Sequence, residues 1–200
     1  MVKIKLSSME KLTGRKKTKT AVFISGTGSN LKNIIKFSKT NKSPISINLI
    51  ISNTNKAKGL RYADQFNIKK KIFSFQNFKN AERNILVLIK KEKIKFICLA
   101  GFMIILSDDF IKRFKGKIIN IHPSLLPKYK GLDTHSRAIK NKDKFAGCTV
   151  HYVTTKLDSG RIIVQKKIRI TIKDNVTSLS KKILKQEHKL YPAAIMKIFN

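Results

Sequence analysis

Two hundred residues, 42% of them hydrophobic, suffice for one domain of ordinary size with a real apolar core. No apolar run reaches the roughly 18 residues of a membrane span, and the N-terminal stretch MVKIKLSSMEKLTGRKKTKT lacks the continuous apolar segment of a signal peptide. These features argue for a cytoplasmic protein. The formal charge of +33 invites a nucleic-acid reading, but 37 lysines against 7 arginines, with 29 isoleucines, 14 asparagines and no tryptophan, resemble the bias of an AT-rich genome. The lysines are spread over every segment without interleaved aromatics, so we read them as solvated faces and expect no specific nucleic-acid partner. Cys98 and Cys148 lie in apolar runs without a CxxC pair or zinc-like spacing; both are expected to be buried free thiols, and no metal site is expected.

Residues 1–18 are polar, basic and aperiodic, and read as a loosely ordered extension ahead of a single catalytic domain over 19–200. From residue 20, short apolar runs alternate with amphipathic stretches. TAVFIS (20–25), ISINLIIS (45–52), KKIFSF (70–75), IKFICLA (94–100) and KIINIH (117–122) predict strands, the first, fourth and fifth apolar enough for burial on both faces. Helical spacing falls between them at 29–40, 56–66, 79–92 and 107–114. Such a βαβ series predicts a parallel sheet with right-handed crossovers. A short helix at 134–141 then precedes two strand-like segments, GCTVHYVT (147–154) and GRIIVQKKIRI (160–170), joined by the turn TKLDSG, and an amphipathic helix over 176–199 closes the chain. The expected fold is α/β: one Rossmann-like domain, a mixed but mostly parallel sheet with helices on both faces, and antiparallel strands near the C-terminal end.

ISGTGSNLKNII sets Gly26, Gly28 and Ser29 between a buried strand and a helix. Glycines let the backbone turn sharply, and exposed N–H groups at a helix start favour an anion. A phosphate site is one reading; a tight βα turn capped by Ser29 is the other. Leu31 stands where a dinucleotide fingerprint has its third glycine, and Asn53 where it has an acid, so a nicotinamide cofactor is disfavoured.

In IINIHPSLLPKYKG, Asn120 and His122 are two apart on a strand and share one face, and Pro123 ends the ladder. The pair stands at the carboxyl end of a parallel strand, the edge to which the first strand also delivers its glycine loop and where open α/β sheets bind ligands. The bland alternative is a pair of satisfied core groups tying down the loop. Asp158, in the turn TTKLDSG, is either an exposed turn carboxylate or a partner for His122; in the second case it would favour the imidazolium and raise the histidine pKa.

Over residues 20–199 the chain resembles the phosphoribosylglycinamide formyltransferases, folate-dependent enzymes of purine synthesis. The stretches that carry the resemblance are ISGTGSNL, LAGFM followed by IL, NIHPSLLPKYKGLDTH, GCTVHYVTTKLDSG and QEHKLYP, in that order. The resemblance implies formyl transfer from 10-formyltetrahydrofolate to the amine of glycinamide ribonucleotide through a tetrahedral intermediate, with no metal. It implies catalytic roles for Asn120, His122 and Asp158; ribonucleotide contacts for Gly26, Thr27, Gly28, Ser29, Asn30 and Glu187; and folate contacts for Lys79, Met103, Ile104, Ile105, Leu106, Asn120, Thr154, Thr155, Lys156 and Leu157. Ile104 and Lys79 stand where the family usually carries arginine; lysine keeps the charge but not the bidentate fork. A monomer or homodimer is expected. Methionyl-tRNA formyltransferase and formyltetrahydrofolate hydrolase are disfavoured because each would need a further domain, and a basic nucleic-acid-binding protein with a vestigial site is the alternative from another class.

Overall fold

The computed structural model describes residues 16–200. Residues 1–15, most of the expected basic extension, lie outside the described residues, and Thr18, which that reading placed in the extension, opens the first strand. Seven strands form one sheet in the order β3-β2-β1-β4-β5-β6-β7. They are β1 (Thr18–Ile24), β2 (Ile45–Ser52), β3 (Lys70–Ile72), β4 (Phe96–Leu99), β5 (Lys117–His122), β6 (Phe145–Tyr152) and β7 (Ile162–Arg169). The first five pair in parallel, while β6 is antiparallel to both β5 and β7. The sheet is mixed and mostly parallel, as the sequence predicts. The helices are α1 (Ser29–Ser38), α2 (Arg61–Gln65), α3 (Phe78–Lys91), α4 (Asp108–Arg113), α5 (Thr134–Lys140) and α6 (Val176–Phe199).

Strand alternation explains the two apolar layers. Val22, Ile24, Cys98, Ile119 and Ile121 point to one face and pack under α1, α2 and α6, whereas Ala21, Phe23, Ile97, Leu99 and Ile118 point to the other, under α3 and α4. Full burial of a valine, leucine, isoleucine or phenylalanine side chain among these stabilises the fold by roughly 1.5–3 kcal/mol. Tyr191 of α6 is also fully buried, and its hydroxyl donates to the carbonyls of Leu99 (2.8 Å) and Ile119 (3.3 Å), tying the last helix to the central strands. Both cysteines are buried and free, and burial raises the Cys148 thiol to about 12.

Several elements are shorter than expected, among them the central strand predicted over 94–100, which spans only Phe96–Leu99, and two of them have a clear cause. The strand predicted over 70–75 stops at Ile72 because it lies on the sheet edge, where only β2 is available to pair with it. The helix predicted over 56–66 opens as a 3-10 turn (Lys58–Leu60) before becoming α2. That turn carries Gly59 onto the glycine loop: its N–H donates to the Gly26 carbonyl (2.9 Å), and a Cβ on Gly28 would lie 2.5 Å from the Gly59 Cα. Gly28 also has φ +76°, a region L side chains rarely adopt. Gly26, by contrast, faces open space.

Gly28→Ala is therefore expected to destabilise the fold by about 2 kcal/mol or more, from backbone strain and the lost approach of Gly59, while Gly26→Ala stays within about 0.5 kcal/mol of the native chain. Denaturant midpoints of the two variants measure the difference.

Candidate active site

The face of β5 that α3 and α4 leave open carries Asn120 and His122. The antiparallel register sets His151 of β6 directly opposite Asn120 and Thr149 opposite His122. The His151 Nδ1 lies 2.9 Å from the Tyr152 carbonyl and so carries its proton in the neutral ring. That leaves Nε2 to accept from the Asn120 amide at 3.4 Å, and the second amide proton of Asn120 remains for the cleft.

Asp158 reaches His122. Its Oδ2 lies 3.3 Å from His122 Nδ1 and accepts the Gly131 N–H at 2.9 Å, while its Oδ1 lies 3.5 Å from His151 Nε2. The His122 and Asp158 side chains are 7% and 6% exposed, so the turn aspartate of the sequence is a buried carboxylate. Its backbone is left-handed, φ +45°, a conformation held by these contacts. On the other side of the ring, His122 Nε2 donates to the Tyr129 carbonyl at 2.8 Å. The loop supplying Tyr129 and Gly131 is pinned from below: Thr149 donates to Ser124 (2.6 Å), and Gln165 donates to Thr149 (2.8 Å) and to Leu126 (3.0 Å).

The electrostatics correct one expectation. Asp158 does favour the imidazolium, and so does the Tyr129 carbonyl, but burial outweighs both and holds the His122 pKa below its ordinary value. For Asp158 the balance reverses. Burial pushes its carboxyl up, but the His151 ring, the Gly131 N–H and the charge of His122 together hold it below the usual carboxylate range. Burial also raises Glu187 of α6, which accepts from Asn30 Nδ2 at 2.7 Å.

These groups line one cleft of about 490 Å³ at the carboxyl ends of β4 and β5. Of the residues singled out in the sequence, the cleft gathers Asn30, Asn120, His122, Asp158, Glu187, Met103 to Leu106 and Thr154 to Leu157. Leu106 is buried and supports the wall, whereas Met103, Ile105, Leu132 and Leu157 form an exposed apolar rim. Gly26, Thr27, Gly28 and Ser29 do not line the cleft; their loop adjoins it, stapled to the β4 end by a bond from the Met103 N–H to Ser25 Oγ (2.8 Å). Ser29 is not the helix cap: Gly28 occupies that position, and no side chain caps α1. Lys79 stands exposed in the first turn of α3, outside the lining.

The family model described as formyl transferase matches residues 18–195. A phosphoribosylglycinamide formyltransferase of Haemophilus influenzae is 41% identical over 180 residues, which are 88% of this chain and 85% of that protein. The crystal structure of phosphoribosylglycinamide formyltransferase from Brucella melitensis superposes with a TM-score of 0.87 at 39% identity, covering 92% of this chain and 96% of that one. This chain belongs to the formyl transferase family. The human trifunctional purine biosynthetic protein adenosine-3 is also similar, 39% identical over 90% of this chain, and the chain spans 18% of that protein's length.

Within this formyl transferase domain, sequence reasoning passed over four groups that the structure brings to the site. The Tyr129 carbonyl and the Gly131 N–H are backbone atoms, on which no side-chain pattern bears. His151 stood in GCTVHYVT as one polar residue of a strand, and only its register opposite Asn120 marks it. His135, in GLDTH, lines the cleft with its buried Nε2 unpaired among the described residues; burial first, and then the nearby His122, lower its pKa.

His122 and His135 are thus held neutral in the folded state, with pKa values below the roughly 6.5 of the unfolded chain. Their stabilisation is complete above that value and is lost as pH falls through the lowered folded values; the depressed Asp158 carboxyl loses its own in more acid solution, in the same direction. The melting temperature should fall as pH drops below about 6.5. A His122→Asn chain, scanned calorimetrically at the same pH values, should show a shallower fall.

Proposed function

We propose that this chain transfers the formyl group of 10-formyltetrahydrofolate to the primary amine of glycinamide ribonucleotide. The observation that carries the reading is the meeting of Asn120, His122 and Asp158 on one wall of an apolar-rimmed cleft, in a chain of the formyl transferase family.

Asn120 aims its free amide proton at the formyl oxygen, where negative charge develops as the amine attacks. His122 adds to this stabilisation by exchanging the Tyr129 carbonyl for that oxygen. Its lowered pKa makes the imidazolium transient: His122 takes the proton that the attacking amine gives up, against the Asp158 carboxylate, and passes the same proton on. Asp158 supports that imidazolium and positions a water for proton transfer toward the departing folate nitrogen. His151 is a positioning residue: its Nε2 accepts from the Asn120 amide and so fixes the direction of the second amide proton.

The ribonucleotide phosphate lies over Gly26, Thr27, Gly28, Ser29 and Asn30, whose amides open α1 without a competing side-chain cap. Glu187, its carboxyl raised by burial, meets the ribose hydroxyls beside Asn30. The folate lies between Met103 to Leu106 and Thr154 to Leu157, with the apolar rim against its ring. Ile104 offers backbone groups and apolar contact there. Lys79 engages the folate tail only beyond the cleft mouth.

Purified protein with both substrates should form formylglycinamide ribonucleotide. Removing a preorganised oxyanion donor typically costs roughly 3–4 kcal/mol, so Asn120→Ala should lower kcat by about a hundredfold or more. His122→Ala and Asp158→Asn should also be severely impaired. Full activity in both of the latter variants would rule out the mechanism, and transfer of the formyl group only to water would replace the acceptor.

A further inference from the structure

The charge of the cleft runs opposite to that of the chain. Lysines and arginines outnumber acids 44 to 11, yet the lining contains one such cation, Lys156, against three carboxylates, Asp133, Asp158 and Glu187. Asp133 is the unusual member. Of the eleven acids only Glu10 lies outside the described residues, and eight of the other ten hold a cation, an N–H or a hydroxyl. The two without a side-chain partner among the described residues are Asp108, in the first turn of α4, and Asp133.

Asp133 is the N-cap residue of α5, a position where aspartate ordinarily accepts an N–H of its own helix. Its left-handed backbone, φ +58°, forgoes that bond and leaves the carboxylate exposed at the cleft. The neighbouring cations are already engaged. Arg137 Nη1 donates to the carbonyls of Lys130 (2.8 Å) and Leu132 (3.3 Å), its guanidinium lies over the Tyr129 ring, and Lys130 Nζ donates to Ser159. The residue after Asp133, Thr134, is 3% exposed and part of the lining, and its Oγ1 is buried without a partner among the described residues. A free carboxylate and, on the next residue, a free hydroxyl oxygen thus offer acceptors to an ammonium group at this point of the lining.

We propose that Asp133 is a specificity-determining carboxylate that receives the primary amine of the acceptor substrate in its ammonium form, which gives its extra proton to solvent before the neutral amine attacks. The inference rests on the formyl-transfer reading above and deepens it. The formylated product carries an uncharged amide nitrogen in place of the ammonium, so Asp133 distinguishes substrate from product and favours release of the latter. A single charge-assisted pair at the edge of a cleft changes affinity by about tenfold.

Calorimetric titration of the whole protein with glycinamide ribonucleotide and with its formylated product tests this. Asp133→Asn is isosteric and suits a left-handed position, so the fold is retained. At pH 6.5, where an α-amine of pKa about 7.7–8.0 is protonated, the variant should bind the substrate about tenfold more weakly. At pH 9.5 the difference should shrink to about twofold or less, because the amine is neutral. Product affinity should not change, Asp133→Glu should recover most of the loss, and Asp108→Asn should behave as the native chain. Equal weakening for substrate and product, weakening that persists at pH 9.5, or no weakening at all overturns the inference. A native chain that binds no glycinamide ribonucleotide overturns the formyl-transfer reading, and this inference with it.

Discussion

The antiparallel docking of β6 on β5 is the constraint on which the candidate site depends. Parallel pairing from β3 through β5 brings the glycine loop and the Asn120–His122 pair to one edge of the sheet, but supplies no carboxylate there. Reversal of the chain at β6 sets His151 against Asn120, and the turn beyond Tyr152 carries Asp158 back over the end of β5. The same pairing places Thr149 beneath the Ser124–Leu126 segment. A shift of one residue in that register would turn His151 and Thr149 to the opposite face and dismantle both arrangements.

Burial then sets the chemistry of the groups so assembled. In water, an aspartate beside a histidine would raise the histidine pKa; in this cleft, removal of water from the ring is the larger effect. His122 therefore waits as a neutral ring, while the Gly131 N–H offsets the burial of Asp158 and helps to keep it ionised. The acceptors offered by Asp133 and Thr134 belong to the same logic. In a chain so dominated by lysine, cations lie at the surface, where solvent screens them, and the cleft interior carries the opposite sign.

Much of this was legible in the amino-acid order, for identifiable reasons. Apolar runs of the right length mark strands, so ISINLIIS, KIINIH and the last helix fall at the predicted residues. Strand periodicity alone places Asn120 and His122 on one face. The edge strand β3 and the start of α2 depart from what periodicity predicts because their extents depend on a neighbour: β3 has one pairing partner, and the turn before α2 follows the contact between Gly59 and Gly28.

The sequence by itself determined the α/β class, the alternation of elements, the two polar residues at the end of β5 and, through its motifs, the family. Those properties are local: they follow from periodicity, turn chemistry and residue type along a continuous stretch. Only the tertiary structure decided that Asp158 meets His122, that His151 stands between Asn120 and Asp158, and that the pKa of His122 falls rather than rises. Each of these requires segments distant in the chain to share one desolvated space, and neither distance nor desolvation is a property of any one segment.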